Sequence, residues 1–314
     1  MSFSLTPGVW PTMLTPFDDR GGVDYRALDE LTDWYISKGV AGLFAVCQSS
    51  EMFELTLEER VGIARAVVER ARGRCGVIAS GHISAEPDRQ FEELKSVAET
   101  GIDALVLVAN RPALEAESDA VWRDNTEALL STLPASVPLG IYECPYPYKR
   151  VLSNELLGWL AETGRFFFLK DTSCDRSIQR ARAKTVEGSP LRLYNANSAT
   201  LLYSLRIGYA GYSGVMANFH PHLYVWLCRR FEEAPAEAEK LQAFLGIASV
   251  IESHGYPANA KQYLAGEGLA LHRMTRVRSH ELRDDWMAEL DELRRLTSIM
   301  ESVVPVSTAA NGPE

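Results

Sequence analysis

The sequence lacks the features that would place the protein in a membrane or a secretory route. No apolar run approaches the roughly 20 residues that a membrane-spanning helix needs. The N-terminal stretch MSFSLTPGVW lacks the basic-then-apolar order of a signal peptide. The five cysteines form no C-x-x-C pair and are odd in number, which favours reduced thiols over a disulfide framework. We therefore expect a cytoplasmic protein with no membrane partner.

Basic charge and clustered metal ligands are also scarce. The chain has 32 Lys and Arg against 42 Asp and Glu, a net charge of -10, and its basic residues are scattered. This pattern argues against nucleic acid or an anionic membrane surface as the partner. His82, His220 and His222 are too dispersed for a metal site, because zinc needs three or four converging ligands. We predict no metal site.

The sequence does contain a series of short apolar runs separated by amphipathic helical patterns. Thr56 and Glu59 form a capping box that opens one of these helices, and Asp175 can cap another. Eight strands alternating with helices indicate a parallel α/β sheet, and eight strands close a TIM (β/α)8 barrel. A doubly wound sheet is the alternative, but no G-x-G-x-x-G follows the first strand. The predicted strands are 8–14, 41–47, 76–81, 103–109, 138–143, 165–170, 191–195 and 210–216.

The chain beyond residue 220 contains helical patterns only. We predict helices at 222–233, 236–253, 257–266 and 278–302. The predicted organisation is a barrel over 1–220 and a C-terminal helical extension of the same domain over 221–303. The final residues, 304–314, are expected to be a disordered tail.

The stretch RFFFLKDTSCD (165–175) carries a lysine at the end of a strongly apolar run. Lys170 has two interpretations from its position alone. It can be a buried lysine that pairs with Asp171 or Glu143 or reaches the rim. It can also be a Schiff-base nucleophile, because burial favours the neutral amine that attacks a ketone. Tyr142 ends the preceding strand and could carry the protons that imine chemistry needs, although a tyrosine in a strand is usually core.

Over roughly residues 6–300 the sequence resembles the dihydrodipicolinate synthase / N-acetylneuraminate lyase family of class I aldolases. The resemblance rests on several motifs that occur in the family's order along the chain. These are GVWPTMLTPF (8–17), CQSSEMFELTLEER (47–60), IYECP (141–145), FLKDTSCD (168–175), GYAGYSGVMAN (208–218) and PANAKQYL (257–264).

The resemblance implies a role for each matching residue. Lys170 corresponds to the lysine that forms the Schiff base, and Tyr142 to the catalytic tyrosine. Ser49 would help to hold the substrate carboxylate, and Gly214 and Val215 of the glycine-rich eighth strand would line the substrate site. No cofactor is expected, because the imine itself acts as the electron sink. The resemblance also implies a homo-oligomer, either a tetramer or a dimer.

Several residues depart from the family's pattern. Gln48 and Ser50 of the carboxylate-binding loop are expected to contact the substrate together with Ser49. Gln48 stands at a hydroxyl position and Ser50 at a glycine position, where we expect a backbone conformation that glycine adopts more easily. Glu143 replaces a common asparagine and is expected to face the variable half of the substrate. Pro147 stands where the synthases use an arginine for the second substrate. Residues 109–112 lack the tyrosine that reaches into the neighbouring subunit.

From the sequence we predict a Schiff-base lyase that acts on a 2-oxo acid of the pyruvate type by aldol cleavage or condensation. The departures from the pattern indicate that it is not the lysine-pathway dihydrodipicolinate synthase. One alternative is a 2-keto-3-deoxy sugar acid dehydratase, which the same imine supports. The other is a catalytically degenerate protein that binds a 2-oxo acid without turnover. The predicted partner in each case is a small 2-oxo acid.

Overall fold

The computed structural model describes residues 3–304 of the 314-residue chain. Of the tail predicted for 304–314, only Val304 falls within the described part; it is buried at the end of the last helix. None of the described helices is both long and apolar enough to cross a membrane.

Eight parallel strands form one sheet, in the order β1-β8-β7-β6-β5-β4-β3-β2. Backbone hydrogen bonds close the remaining gap, because the Ala41 amide donates to Val9 (2.9 Å) and the Phe44 amide donates to Pro11 (3.0 Å). The predicted TIM barrel is therefore confirmed. The strands are β1 Gly8–Val9, β2 Gly42–Phe44, β3 Gly76–Ala79, β4 Ala104–Val108, β5 Leu139–Tyr142, β6 Phe166–Asp171, β7 Arg192–Asn195 and β8 Gly211–Tyr212.

Five of the eight barrel helices begin where a short polar side chain caps them. The predicted capping box of Thr56 and Glu59 opens the second helix, and the Asp175 side chain accepts the amides of Ser177 and Ile178 at the start of the sixth. The barrel helices are α1 Tyr25–Ser37, α2 Leu57–Ala71, α3 Pro87–Ala98, α4 Asp119–Thr132, α5 Asn154–Glu162, α6 Arg176–Thr185, α7 Leu201–Arg206 and α8 Pro221–Arg230.

The barrel interior is filled by large aromatic side chains around Trp10. The Trp10 ring packs edge-on against Phe168 and Tyr194, with ring centres 5.9 and 6.1 Å apart. A Cβ atom added at Gly42 would come within 2.1 Å of the indole, and one at Gly76 within 2.6 Å. These two positions therefore need glycine, because any larger residue would displace Trp10 from the core.

The helices after residue 220 divide into two groups. Helix α8 packs against β1 and β8 and so completes the eighth β/α unit. The extension that follows consists of α9 Pro235–Ala248, a short 3₁₀ helix at Ser249–Ser253, α10 Ala258–Gly266 and α11 Asp284–Val303. The last of these starts six residues later than the predicted 278–302, because 278–283 is irregular.

The extension is tied to the loop that follows β2. Lys261 of α10 forms a buried ion pair with Glu51 (3.0 Å between Nζ and Oε1), and Glu51 also accepts the backbone amides of Arg276 and Val277. The Arg276 guanidinium in turn pairs with Glu59 of α2 (2.7 Å). These contacts hold the extension over the end of the barrel at which the strands finish.

Candidate active site

A cavity of about 470 Å³ opens at the carboxyl ends of the strands. Lys170 and Tyr142 line it from adjacent strands, where they are direct register partners of β6 and β5. The Lys170 Nζ atom lies 4.4 Å from the centre of the Tyr142 ring. The two residues singled out in the sequence are therefore brought together at the end of the barrel where TIM-barrel enzymes carry their chemistry.

Lys170 is buried, with 4% of its surface exposed, and its amine forms no ion pair within residues 3–304. Asp171, the next residue, turns to the opposite side of the strand and binds Arg182 (2.9 Å). The interpretation of Lys170 as the ion-pair partner of Asp171 or Glu143 is therefore wrong. Burial lowers the pKa of the amine, which favours the neutral, nucleophilic form.

Glu143 does not face the cavity. Its side chain is fully buried on the outer side of β5, where it binds Arg182 and accepts the backbone amides of Leu152 (2.8 Å) and Thr172 (3.1 Å). The prediction that Glu143 faces the variable half of the substrate is wrong. The physical reason is the alternation of side chains along a strand: Tyr142 points inward, so its neighbour points outward.

Tyr142 contacts the loop that follows β2. Its hydroxyl donates to the Gln48 side-chain oxygen (3.3 Å), which also lies 3.5 Å from the Cys144 sulfur. Burial raises the pKa of Tyr142 well above its ordinary value, so the phenol remains protonated at neutral pH. Gln48 itself lines the cavity.

The two serines of this loop have different environments. Ser49 lines the cavity, and its hydroxyl donates to Thr12 (3.1 Å). Ser50 is fully buried, and its hydroxyl is used within the loop, where it accepts the Cys47 amide (2.8 Å) and donates to the Cys47 carbonyl (2.6 Å). The prediction of substrate contact for Ser50 is therefore wrong.

The backbone conformation predicted for Ser50 is also wrong. The left-handed residue of the loop is Glu51, with φ of 62°, and Ser50 is not among the residues of positive φ. The contacts of Glu51 with Lys261 and with the amides of Arg276 and Val277 hold it in this conformation. The loop thus keeps a compact 3₁₀ turn over Gln48–Ser50.

Gly214 and Val215 line the same cavity as Lys170. A Cβ atom at Gly214 would lie 2.3 Å from the Tyr212 hydroxyl oxygen and 2.5 Å from the Ala196 carbonyl oxygen. Glycine is needed here because the backbone passes so close to the neighbouring strand and to Tyr212.

Several lining residues escaped the sequence analysis. Glu252 and Tyr256 reach the cavity from the C-terminal extension, and Phe53 and Tyr146 stand at its mouth, with ring centres 4.9 Å apart. The Tyr256 hydroxyl accepts a hydrogen bond from Asn218 (3.0 Å). The strand-end rule, by which residues at the carboxyl ends of the barrel strands carry the chemistry, finds only barrel residues. It therefore gave no signal for Glu252 and Tyr256 of the extension.

Pro147 lies outside this cavity. With Tyr148 it lines a separate cavity of about 540 Å³ between the α3 and α4 regions, while Tyr146 is the residue that faces the active-site side. Arg150 is directed elsewhere as well, because its guanidinium binds Asp119 (2.9 Å) and the Leu114 carbonyl (3.2 Å). Among the described residues, the one lining cation besides Lys170 is Arg278, which is exposed at the mouth.

The histidines lie in separate structural environments. His82 is buried and accepts the Val108 amide, and His220 stacks on Tyr224 with parallel rings 5.7 Å apart. His222 pairs with Glu301 (2.7 Å). Within the described residues, no three His, Cys, Asp or Glu side chains converge in a way that could hold a metal ion.

Comparison with known proteins identifies the kind of fold and site. The Dihydrodipicolinate synthetase family matches residues 6–293. A 4-hydroxy-tetrahydrodipicolinate synthase of Porphyromonas gingivalis is 26% identical over 284 residues, which cover 86% of this chain and 90% of that protein.

Two solved structures share the fold. One is YagE, a prophage protein of E. coli K12 that belongs to the dihydrodipicolinic acid synthase family and was solved in complex with pyruvate. Its TM-score is 0.85 at 22% identity, and the match covers 94% of this chain and 99% of that one. The sialic acid aldolase of Ruminococcus gnavus has a TM-score of 0.85 at 20% identity, covering 96% and 100%.

The fold and the buried lysine at its strand ends define a lyase of the class I aldolase type, as the sequence predicted. The chain belongs to the dihydrodipicolinate synthetase family, whose match spans nearly all of it.

Proposed function

We propose that the protein forms a Schiff base between Lys170 and a 2-oxo acid of the pyruvate type, and then makes or breaks a carbon–carbon bond. The observation that carries this proposal is the buried amine of Lys170, without an ion pair in the described residues and 4.4 Å from the Tyr142 ring centre. The pyruvate complex of YagE, a protein of the same fold, supports the choice of 2-oxo acid.

The chemistry follows from the two residues. The neutral Lys170 amine attacks the keto carbon, and the departing oxygen takes up protons and leaves as water. The resulting iminium ion withdraws electrons from the neighbouring carbon, which then loses a proton or a carbon substituent to give an enamine. Tyr142, whose ring lies beside the amine, would donate and recover a proton in these steps.

Ser49 and Gln48 are proposed to bind the carboxylate of the 2-oxo acid. Both line the cavity, and the Ser49 hydroxyl and Gln48 amide are uncharged donors that suit a carboxylate. Gly214 and Val215 would form the wall against which the acid lies. Variants at Ser49 test this role, because Ser49→Ala should raise KM for the 2-oxo acid more than it lowers kcat.

The lysine-pathway condensation is proposed not to be the main activity. That reaction must hold a second substrate with its own carboxylate. Arg150 is held by Asp119, and Arg278 is exposed at the mouth, where an ion pair contributes little. The largely buried carboxylate of Glu252 would repel a second anion.

An assay with two substrate pairs tests this function and its alternatives. Purified protein would be incubated with pyruvate and aspartate semialdehyde, and separately with pyruvate and uncharged aldehydes. We expect pyruvate consumption with an uncharged aldehyde and little with the semialdehyde. Turnover with the semialdehyde equal to that of a working synthase would contradict the exclusion. A protein that only binds would form a trapped adduct on Lys170 and release no product with any substrate.

Dehydration of a 2-keto-3-deoxy sugar acid is the second candidate. Glu252 favours it, because a carboxyl group facing the cavity can donate a proton to a departing hydroxide. Incubation with such an acid separates the candidates: a dehydratase releases water and retains the carbon chain, whereas an aldolase releases pyruvate.

A further inference from the structure

One carboxylate of the cavity is largely shielded from solvent and yet has no partner among residues 3–304. Glu252 lies in the 3₁₀ helix Ser249–Ser253 of the extension and lines the same cavity as Lys170. Within residues 3–304 no hydrogen bond or ion pair is made by its side chain, although the residue is largely shielded from solvent. A shielded carboxylate without a partner is costly, and such groups concentrate at functional sites.

The other acidic residues of the lining differ from Glu252. Glu51 is buried but fully engaged by Lys261 and by the amides of Arg276 and Val277. Glu54 is exposed at the mouth. Glu252 is therefore the shielded carboxylate of this lining that remains available to a ligand.

The groups around Lys170 offer few other proton carriers near neutral pH. Gln48 is an amide, and the pKa values of Tyr142 and Tyr256 are raised by burial. Burial raises the pKa of Glu252 to about 7, while the positive charge of Lys170 opposes that shift. The titratable groups facing Glu252 are Lys170 of β6, Tyr212 of β8, Tyr224 of α8 and Tyr256 beyond the 3₁₀ helix.

We propose that Glu252 is the acid–base residue for the substrate oxygen at the bond that is made or broken, and that the aldehyde half of the substrate is uncharged. The proposal rests on the proposed function, since it assigns a role within the reaction that begins at Lys170. Lys170 and Glu252 lie on the same cavity but belong to the barrel and the extension, so they can act on the two halves of one substrate.

In the cleavage direction the Glu252 carboxylate removes the proton of the substrate hydroxyl. The oxygen becomes the carbonyl of the departing aldehyde, the carbon–carbon bond breaks, and its electron pair passes into the iminium to give the enamine on Lys170. Glu252 is left as the carboxylic acid. In condensation the steps reverse: the enamine attacks the aldehyde carbon, and Glu252 returns the proton to the aldehyde oxygen.

Three apolar or aromatic residues at the mouth favour an uncharged aldehyde. Phe53, Tyr146 and Val277 give the mouth an apolar and aromatic surface. A second carboxylate placed beside Glu252 would bring two like charges into a shielded space. An aldehyde that carries hydroxyl groups or an apolar tail would avoid this repulsion between like charges.

The test compares three readouts in wild type, Glu252→Gln and the control Glu232→Gln, which alters an exposed glutamate outside the cavity lining. The first readout is borohydride trapping of the pyruvate adduct. The second is deuterium exchange into the pyruvate methyl group, which reports enamine formation. The third is pyruvate consumption with glycolaldehyde, glyceraldehyde or benzaldehyde, with succinic semialdehyde as the carboxylate-bearing comparison.

For Glu252→Gln we expect trapping and exchange within about threefold of wild type, and condensation slower by about two to four orders of magnitude. Wild-type condensation should decline as the pH rises through about 7, because the acid form of Glu252 donates the proton, and Glu252→Gln should lose that limb of the profile. Glu232→Gln should behave as wild type. Trapping of pyruvate by the Gln variant also establishes that it is folded.

Condensation by Glu252→Gln within about fivefold of wild type would overturn the proposal. So would a parallel loss of methyl exchange, which would assign Glu252 to enamine formation instead. Wild-type protein that traps pyruvate but condenses it with none of the uncharged aldehydes, or prefers succinic semialdehyde, would overturn the assigned substrate class. Failure of the wild type to trap any 2-oxo acid would instead contradict the proposed function on which this inference rests.

Discussion

Lys170 and Tyr142 are register partners on adjacent strands, and the lysine Nζ lies over the tyrosine ring, 4.4 Å from its centre. The strand ends of β5 and β6 thus present an amine and a phenol to the same cavity. Each residue is followed by a carboxylate, Glu143 and Asp171, and both carboxylates turn outward to bind one guanidinium, that of Arg182. Lys170 and Tyr142 therefore lie on one side of these strand ends, and the ion pairs with Arg182 lie on the other.

Removal of the Tyr142 hydroxyl should distinguish the contribution of this residue to turnover from its contribution to stability. Tyr142→Phe keeps the ring against Phe44 and beneath Lys170, so the free energy of unfolding should change little. Turnover should fall by about two to four orders of magnitude, because general acid–base help is lost. Steady-state kinetics and thermal unfolding measure the two effects. Tyr203→Phe, on α7 outside the cavity, is the matched control, and near-wild-type turnover of Tyr142→Phe would place that residue in the core only.

Arg182 should be a strong determinant of stability. Arg182→Met removes the guanidinium and leaves Glu143 and Asp171 buried without their cation, at a cost of about 3–5 kcal/mol. Denaturant unfolding gives the free energy directly. Arg180→Met changes an exposed arginine of the same helix and should stay within about 0.5 kcal/mol of wild type. Equal stability of the two variants would refute this account of the strand ends.

Cys174 holds a strained backbone conformation. Its φ is 57°, in the left-handed region that favours glycine, and the residue is exposed. Cys174→Gly should raise the free energy of unfolding by about 0.5–1 kcal/mol, because relief of the strain exceeds the added freedom of the unfolded chain. Cys174→Ala keeps the strain and serves as the control. A glycine variant no more stable than the alanine variant would mean that the left-handed conformation costs little here.

The ionised side chain of Glu252 should lower the free energy of unfolding at neutral and higher pH. Its pKa is about 7 in the folded protein against 4.5 in the unfolded chain, so the folded state holds the proton more tightly. The destabilisation therefore begins as the pH rises above 4.5 and is complete above about 7. At pH 8 the free energy of unfolding of Glu252→Gln should exceed that of wild type by about 2 kcal/mol. This figure takes about 1.36 kcal/mol per unit of pKa shift and reduces the total because the side chain is partly exposed. The two proteins should converge below pH 4.5 in urea titrations; a constant difference would contradict the assigned pKa.

The sequence predicted the barrel because eight apolar runs alternate with helices, and the strand-end rule then led to Lys170 and Tyr142. The same alternation of side chains could have assigned Glu143 to the outer face, since its neighbour Tyr142 points inward. Glu252 could not be found in this way. Its position depends on how the extension packs over the barrel, through contacts such as Lys261 with Glu51 that join residues far apart in the chain.

Lys261 is a second buried lysine with which Lys170 can be compared. Lys261 is as deeply buried as Lys170, but its amine pairs with Glu51 (3.0 Å) and binds the Met274 carbonyl. Burial lowers the pKa of both amines, so burial alone does not distinguish them. The absence of an ion-pair partner for Lys170 within the described residues, and its position on the cavity, are what the account requires for imine formation.

Peptide mapping after borohydride reduction tests this central claim most directly. The protein would be incubated with pyruvate and borohydride, digested and examined by mass spectrometry, alongside Lys170→Met. The account predicts one reduced pyruvate adduct per chain, located within residues 165–175 and absent from Lys170→Met. An adduct on Lys261 or elsewhere, or no adduct with pyruvate or any other 2-oxo acid, would contradict it.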